Sequence, residues 1–201
     1  MAFIMKVRPY IGTVLVVCML VTAVACEPRV NLSPVTSDFI YVDNGNDVSI
    51  YEYTGLGGDV IIPGSIDGKN VTSIGRGAFF RCKNLTSVTM PDGILIIGEA
   101  AFFGCEQLTY IIISNSATAI GEMAFFGCES LANITIPDSV IDIGDGAFAC
   151  MIGYYDKIDE NGQWSGGRCF ANCPNLIVTC PRNSYAHQYC VENNIKFQLT
   201  D

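Results

Sequence analysis

Cysteines recur at a fixed interval along this chain, and thiols at a fixed spacing can bind a metal or form disulfides. Cys82, Cys105 and Cys128 are each 23 residues apart, and Cys173 stands at the same offset before a leucine. Zinc sites need ligands clustered on one or two loops, and the chain has a single histidine, His187. The interval therefore favours a column of buried thiols over a metal site, because free cysteine is among the most buried residue types.

Two further cysteines, Cys150 and Cys169, do not follow the 23-residue spacing and flank an insertion at about residues 150–169. The inserted residues centre on Asn161-Gly162, a dipeptide typical of a two-residue hairpin turn. We predict a projecting two-stranded hairpin with a disulfide between Cys150 and Cys169 at its base. Closing a loop of that length contributes about 3 kcal/mol in the chain-entropy treatment.

Other residue types that could do chemistry lack the spacing for it. Serine, aspartate and His187 occur without a nucleophile elbow, a phosphate loop or a paired acid site, so we predict no enzyme, no catalytic residue and no cofactor. Three acidic residues of the insertion do not follow the spacing of a calcium loop: Asp156, Asp159 and Glu160. His187 falls in NSYAHQYC, which predicts the start of an amphipathic helix and gives it a capping or surface role. Cys180 and Cys190 are a second candidate disulfide.

The regularly spaced cysteines belong to a longer sequence motif that recurs along the chain. GRGAFFRCKNL begins at Gly75, GEAAFFGCEQL at Gly98 and GEMAFFGCESL at Gly121, with shorter copies from Gly144 and Cys169. Alternating apolar pairs follow each full copy and predict a strand of three to five residues. The Ala-Phe-x-x-Cys offsets predict a single turn of helix. About four to five stacked units then give an α/β repeat solenoid, with a parallel β-sheet on one face and single helical turns opposite.

The ends of the repeat region are atypical, as the ends of a solenoid must be. A β-rich N-terminal cap is predicted over residues 38–70, with a hairpin at Asn44-Gly45. The solenoid follows over residues 71–201 and includes a C-terminal cap at about 177–201. Residues 26–37 are assigned as a linker.

The first 25 residues have the features of an export signal. Lys6 and Arg8 precede an apolar run over residues 11–25, which is too short for a stable membrane span. The run ends in AVAC, so two outcomes stay open. Either Cys26 becomes the lipidated first residue, as in a bacterial lipobox, or cleavage after Ala-Val-Ala leaves Cys26 unmodified.

Composition narrows the partners that such a chain can have. Half of the residues are apolar and the formal net charge is −9. An acidic surface is repelled by phosphate backbones and by anionic lipid, so we expect no nucleic acid partner, and membrane contact only through an N-terminal lipid anchor.

Two groups of residues are candidates for protein binding. Tyr110 and Ile112 are expected to point outward from a central strand, where they are either a binding patch or β-favouring residues without a further role. Trp164, Tyr154 and Tyr155 lie in the insertion, where they either contact a partner or cover apolar surface of the solenoid.

The repeated pattern Ile-Gly-x-x-Ala-Phe-x-x-Cys-x-x-Leu-x-x-Ile-x-Ile-Pro resembles the 23-residue leucine-rich repeat of the BspA-like, or Treponema pallidum-type, family. The lead-in YTGLGGDVIIPGSIDGKNVTSIG and the tail SYAHQYCVENNIKF share the resemblance, which covers roughly residues 38–201. It implies a short leucine-rich-repeat arc and an extracellular or cell-surface protein, often considered an adhesin or host-interaction protein. It implies no catalytic residues.

Two functions from different classes are consistent with these features. The first is an exported or cell-surface module that binds a protein or other macromolecule without catalysis. The alternative is a structural or assembly component of the cell envelope with no host ligand. Self-association in solution would favour the second.

Overall fold

A computed structural model describes residues 38–151 and 170–200 of the chain. Several sequence predictions fall outside these residues: the signal over 1–25, Cys26, the linker over 26–37, and the insertion residues Tyr154, Tyr155, Trp164 and Cys169. Those predictions stay predictions. The proposed domain boundaries also remain predictions. Within the described residues, no helix is both long and apolar enough to span a bilayer.

The described residues form short strands and one helix of eight residues. The elements of the N-terminal half are β1 (Phe39–Asp43), β2 (Asp47–Tyr53), β3 (Gly58–Ile61), β4 (Ser65–Ile66), β5 (Lys69–Ile74), β6 (Leu85–Thr89), β7 (Ile96–Ile97) and β8 (Tyr110–Ile112). Those of the C-terminal half are β9 (Ala119–Ile120), β10 (Asn133–Thr135), β11 (Asp142–Ile143), β12 (Ala149–Met151), β13 (Phe170–Asn172), β14 (Ile177–Pro181), α1 (Tyr185–Glu192) and β15 (Phe197–Thr200).

The strands build two sheets that follow the solenoid from end to end. Sheet A has the order β1-β2-β5-β7-β9-β11, with β4 paired beside β5. Sheet B has the order β15-β14-β10-β8-β6-β3. Pairing is parallel in both sheets except at β1–β2 and β4–β5. Each turn of the chain adds one short strand to each sheet.

The prediction of a single parallel sheet on one face is therefore wrong in one respect. The second extended segment of each repeat also pairs with its neighbours, because its amides donate to the preceding repeat: Leu95 N to Thr72 O at 2.8 Å, and Thr118 N to Leu95 O at 2.7 Å. A strand pattern alone does not say whether a two-residue segment finds such partners. The fold is a β-solenoid with parallel sheets and little helix.

The predicted single helical turns are not confirmed, because the amides of this stretch bond in two directions. Within one repeat only alternate amides bond backward in the chain, as in Ala101 N to Gly98 O at 3.2 Å. The intervening amides donate to the next repeat, as in Phe102 N to Ala124 O at 2.8 Å. A helix would keep every one of these bonds inside the segment. The stretch is instead a stack of hydrogen-bonded turns.

Close approach of backbones explains the glycine that opens each repeat. A Cβ atom on Gly121 would lie 2.5 Å from the amide nitrogen of Glu99 and 2.7 Å from the carbonyl carbon of Gly98. Gly98 and Gly144 meet the preceding repeat in the same way. No side chain fits in this column without moving backbone.

The core is a continuous stack of equivalent side chains, as predicted from the repeat columns. The first phenylalanine of each copy is fully buried, and neighbouring rings stack with centroids 4.8 to 5.4 Å apart: Phe79, Phe102, Phe125 and Phe148. Tyr53 stacks on the N-terminal end of this column at 5.0 Å, and Tyr189 of α1 packs on its C-terminal end at 6.2 Å. Both ends of the aromatic column are thus covered.

The two ends of the solenoid differ in structure. β1 and β2 form the hairpin predicted at Asn44-Gly45, although its role as a cap stays a prediction. At the other end α1 begins at Ser184, whose hydroxyl accepts a hydrogen bond from the amide of His187. The insertion leaves the solenoid through the antiparallel pair β12–β13.

Candidate binding surface

The outer face of sheet B is formed by two rows of side chains that flank a buried row. The buried row runs through the middle of each strand: Val60, Val88, Ile111, Ile134 and Val178. The first outward row is Asp59, Ser87, Tyr110, Asn133 and Ile177, and the second is Ile61, Thr89, Ile112, Thr135 and Thr179. Because side chains alternate along a strand, both rows share one face.

Tyr110 and Ile112 lie at the middle of this face, and the prediction that they point outward is confirmed. Tyr110 is 51% exposed and Ile112 is 42% exposed. They stand two residues apart on β8, with Ser87 and Asn133 beside the tyrosine and Thr89 and Thr135 beside the isoleucine. An aromatic ring and an aliphatic side chain are therefore held side by side on a rigid sheet.

Charge is absent from the central part of this face. The outward positions of β6, β8 and β10 carry hydroxyl, amide, phenol and aliphatic groups only. The nearest carboxylate in the rows is Asp59, at the N-terminal edge. Hydrogen bonds from Ser87 at 2.7 Å and Thr86 at 2.9 Å lower the pKa of Asp59, so it stays ionised.

A second apolar surface lies on the outside of sheet A, and sequence reasoning missed it. Leu95, Ile96 and Ile141 are all exposed there, with Ile141 at 70%. Leu95 and Ile141 belong to one outward row, linked through Thr118 by backbone hydrogen bonds. No alternation in the sequence marks this surface, because burial runs in the order buried, exposed, exposed, buried from Ile94 to Ile97 and again from Val140 to Ile143.

A third surface, also missed, is the second phenylalanine of each Phe-Phe pair. Phe103 stacks on Phe80 at 5.1 Å and on Phe126 at 4.9 Å. Exposure changes along this outer phenylalanine column, because Phe80 is half exposed whereas Phe126 is buried. The Arg81 guanidinium lies 5.3 Å from the Phe80 ring centre. A shallow groove beside Phe80 is completed by Tyr51 and by other residues of the first repeat.

The cysteine column is buried in the core, in agreement with the sequence prediction. The thiols of Cys105 and Cys128 donate hydrogen bonds to the carbonyl oxygens of Phe79 and Phe102, at 3.1 and 3.2 Å. Burial raises the pKa of Cys105 to about 12. Each such thiol ties one repeat to the one before it, and burial holds Cys105 in its unreactive, protonated form.

The predictions for the other cysteines have separate outcomes. Cys180 and Cys190 contact each other as buried free thiols, so the second candidate disulfide is not formed. Cys150 lies opposite Ala171 in the β12–β13 pair. Because Cys169 is outside the described residues, its bond to Cys150 stays a prediction.

His187 has a structural role, as its position in the helix start predicted. Its Nδ1 accepts a hydrogen bond from the amide of Asn183 at 3.2 Å, and its ring meets the Phe197 ring at 4.8 Å. The imidazole therefore closes the turn before α1 and packs β15 against it.

Comparison with known proteins agrees with this architecture. The family described as BspA type leucine rich repeat region matches residues 65–198 in six copies. The match covers more than half of the chain, and six copies exceed the four to five units counted from the clearest sequence columns. The chain belongs to the BspA-type leucine-rich repeat family. No curated protein matches the chain.

Two solved structures show the same fold. The leucine-rich repeat protein TpLRR of T. pallidum is 27% identical, with 74% of this chain and 71% of that chain covered and a TM-score of 0.54. A leucine-rich repeat protein of Bacteroides capillosus is 29% identical, with 55% of this chain and 86% of that chain covered and a TM-score of 0.51.

Proposed function

We propose that this protein is an exported, non-enzymatic module that binds a partner protein through the outer face of sheet B. One observation carries the proposal: Tyr110 and Ile112 stand half exposed in the uncharged central part of this face, on a chain of net charge −9. Interface cores are depleted in charge and enriched in tyrosine. Membership of the leucine-rich repeat family supports a binding role, and a host-interaction or adhesin role is the form that the resemblance suggests.

The rigid sheet supports the same proposal on energetic grounds. Tyr110 and Ile112 are fixed by parallel pairing to β6 and β10, so little conformational entropy is lost when a partner covers them. The hydroxyl and amide groups of the flanking strands can form the polar rim. Trp164, Tyr154 and Tyr155 of the insertion are proposed as a second contact region.

Export places this face where an external partner can reach it. The N-terminal charges, the apolar run and the AVAC sequence support cleavage at Cys26 with lipid attachment, giving a surface or periplasmic protein. Fractionation of wild-type protein and the Cys26→Ala variant tests this. The wild type should pellet with membranes and dissolve in detergent, whereas the variant should not carry lipid by mass spectrometry. An unmodified Cys26 in the wild type would show a secreted protein instead.

Binding is tested with a pair of identical substitutions on the two sheets. Ile112→Ser removes the aliphatic side chain from the outer face of sheet B, and Ile141→Ser makes the same change on sheet A. By biolayer interferometry against a panel of purified extracellular-matrix and serum proteins, Ile112→Ser and Tyr110→Ser should each weaken saturable binding about tenfold or more, corresponding to about 1.4 kcal/mol. Ile141→Ser should bind as the wild type does. Loss of binding in Ile141→Ser alone would contradict the assignment to sheet B.

A second candidate function is an assembly component of the cell envelope. The observation in its favour is the exposed apolar surface on the outside of sheet A with Leu95, Ile96 and Ile141, which suits contact with another copy. Light scattering separates the two functions. A large species that Ile141→Ser breaks up, together with no binding to the panel, would support assembly.

A further inference from the structure

The aromatic column and the outer phenylalanine column start differently at the N-terminal end of the solenoid. The aromatic column continues beyond its first phenylalanine, because Tyr53 of β2 stacks on Phe79 at 5.0 Å. The outer phenylalanine column starts at Phe80, which stacks on Phe103 of the next repeat at 5.1 Å. Among the described residues, no ring stacks on the other side of Phe80. The Phe80 ring is therefore half exposed.

A groove, called here the Phe80 groove, lies on this free side of the ring. Its lining includes Phe80 and Arg76 of the first repeat and Tyr51 of β2, and β2 precedes the first repeat in the stack. Tyr51 adds a second half-exposed ring. The groove has a volume of about 280 Å³. Clefts for whole small-molecule ligands have about 300–1,000 Å³, so the Phe80 groove suits a single side chain.

Arg81 occupies a backbone position that the next two repeats give to glycine. Its φ of 56° is in the left-handed region, as are the 69° of Gly104 and the 74° of Gly127. A residue with a side chain is strained in this conformation, and such residues cluster where function requires them. The side chain of Arg81 lies over the next repeat, since a Cβ on Gly104 would lie 3.2 Å from its Cγ. The strained position thus holds a long cationic side chain against the stacked turns.

The guanidinium of Arg81 is held beside the exposed ring, at 5.3 Å from the Phe80 ring centre. The other two cations of this repeat, Arg76 and Lys83, are ion-paired with carboxylates of the next repeat at 3.0 and 2.9 Å. Among the described residues, no carboxylate lies within ion-pair distance of Arg81. A guanidinium without an ion pair, beside an open ring, is complementary to a carboxylate beside an aromatic side chain.

The first repeat also differs in charge from the repeats that follow it. The positions of Arg76 and Lys83 hold carboxylates in the next repeats: Glu99, Glu122 and Asp145 for the first position, and Glu106 and Glu129 for the second. An acidic partner is therefore repelled by the later repeats and attracted to the first one. Among the described residues that line the groove, Glu52 alone carries a carboxylate, and it opposes such a partner.

We propose that the Phe80 groove is a second binding site, which takes an aromatic side chain of a partner protein with a carboxylate on an adjacent residue. The aromatic side chain stacks on Phe80 and extends the outer phenylalanine column by one ring, as Tyr53 extends the aromatic column. The carboxylate pairs with the guanidinium of Arg81. This site lies on the stacked turns and does not depend on the function proposed for sheet B.

Titration of the exported, processed protein with synthetic peptides, followed by NMR, tests the proposal. The probes are N-acetyl-Trp-Glu amide, its neutral analogue N-acetyl-Trp-Gln amide, and N-acetyl-Ala-Glu amide, which lacks the ring. The first peptide should shift the backbone amide signals of Phe80 and Arg81 and leave that of Tyr110 unchanged. Each of the other two peptides should bind at least about fivefold more weakly, because it lacks either the carboxylate or the ring.

Four variants assign the binding to its residues. Phe80→Ala and Arg81→Gly should each weaken binding of N-acetyl-Trp-Glu amide at least about fivefold. Arg81→Gly keeps the fold, because the next two repeats have glycine at this position. Glu52→Gln removes the opposing carboxylate and should strengthen binding. Lys83→Gln is the control: it removes a paired cation of the same repeat outside the groove lining, and its affinity should stay within about twofold of the wild type.

Four results would overturn the proposal. The first is an absence of shifts at Phe80 with about 10 mM peptide, a concentration that fills even a weak site in part. Equal binding of the three peptides would show contact without recognition of ring and carboxylate. Shifts centred on Tyr110 would place the peptide on sheet B. A dimer by light scattering that Phe80→Ala abolishes would show that a second copy occupies the groove.

Discussion

The rings of Phe102 and Phe125 are parallel to within 1°, with their centroids 5.3 Å apart. Both side chains are fully buried, and each also stacks on the phenylalanine of the repeat beyond. The aromatic column therefore couples every repeat to both neighbours. Its energy cannot be assigned to one repeat, because each ring is part of two interfaces.

Phe102→Ala is expected to lower the free energy of unfolding by about 3–5 kcal/mol, because it leaves a cavity that packed neighbours on both sides cannot fill. Phe80→Ala is the matched control on the outer phenylalanine column, where the ring is half exposed, and it should cost about 1 kcal/mol. Urea denaturation followed by circular dichroism measures both. An equal loss of unfolding free energy in the two variants would show that the buried phenylalanine column stabilises the protein no more than the outer phenylalanine column does.

Gly121→Ala is expected to destabilise the protein by about 2 kcal/mol or more, because its Cβ would overlap backbone atoms of the preceding repeat. Gly64→Ala is the control: its Cβ would lie 3.6 Å from Pro91 Cβ, an ordinary contact. That variant should be neutral or up to about 1 kcal/mol more stable. Thermal denaturation should give a clearly lower midpoint for Gly121→Ala than for Gly64→Ala. A Gly121→Ala protein as stable as the wild type would refute the close approach of Gly121 to the backbone of the preceding repeat.

Stability should fall in alkaline solution, and Cys105 contributes to that fall. Burial raises its pKa from 9.0 to about 12, so the folded state holds a proton that the unfolded state releases above pH 9. The stabilisation is complete below pH 9 and is lost at about 1.4 kcal/mol per pH unit as the pH rises toward 12. Cys190 and Tyr189 are shifted in the same direction.

Cys105→Ala isolates this contribution. The variant should be less stable at neutral pH, because it loses packing and a hydrogen bond, but its stability should depend less steeply on pH above 9. Urea unfolding of wild type and variant at several alkaline pH values gives the two slopes. Identical slopes would mean that the thiol titrates normally in the folded protein.

The insertion should be closed by a disulfide between Cys150 and Cys169. Alkylation of denatured, unreduced protein should leave two thiols unmodified, and reduction should release them. Cys150→Ser should abolish this difference and lower stability by about 3 kcal/mol at most. Cys82→Ser, which changes a thiol of the repeat column, should still show the difference in alkylation before and after reduction. Full alkylation of the wild type before reduction would contradict the bridge.

Sequence columns identified the core correctly because burial follows the repeat interval directly. Ile97, Phe102 and Leu108 each recur at the interval and are all fully buried. Export, the linker and the insertion aromatics rest on sequence alone. Tyr110 and Ile112 could be placed on an outer face because alternation along a strand is a local property.

The turns could not be predicted in the same way. The spacing of Ala, Phe and Cys, with Phe next to Ala and Cys three residues after Phe, suits both a helical turn and a stacked turn, and the choice depends on bonds to the neighbouring repeat. Phe102 N donates to Ala124 O of the next repeat, a bond that no local pattern reveals. The outward surface of sheet A was missed for the same reason, since its two-residue strands exist only through pairing across repeats.

The direction of these bonds has a mechanical consequence. Backbone hydrogen bonds of the sheets and of the stacked turns lie along the solenoid, whereas the strands run across it. A force that pulls the two ends of the chain apart along this direction loads the bonds between repeats one interface after another. The protein should therefore extend in steps at modest force, each releasing about 80 Å of chain from one 23-residue repeat. A surface protein held at one end and bound at the other would then yield gradually under flow.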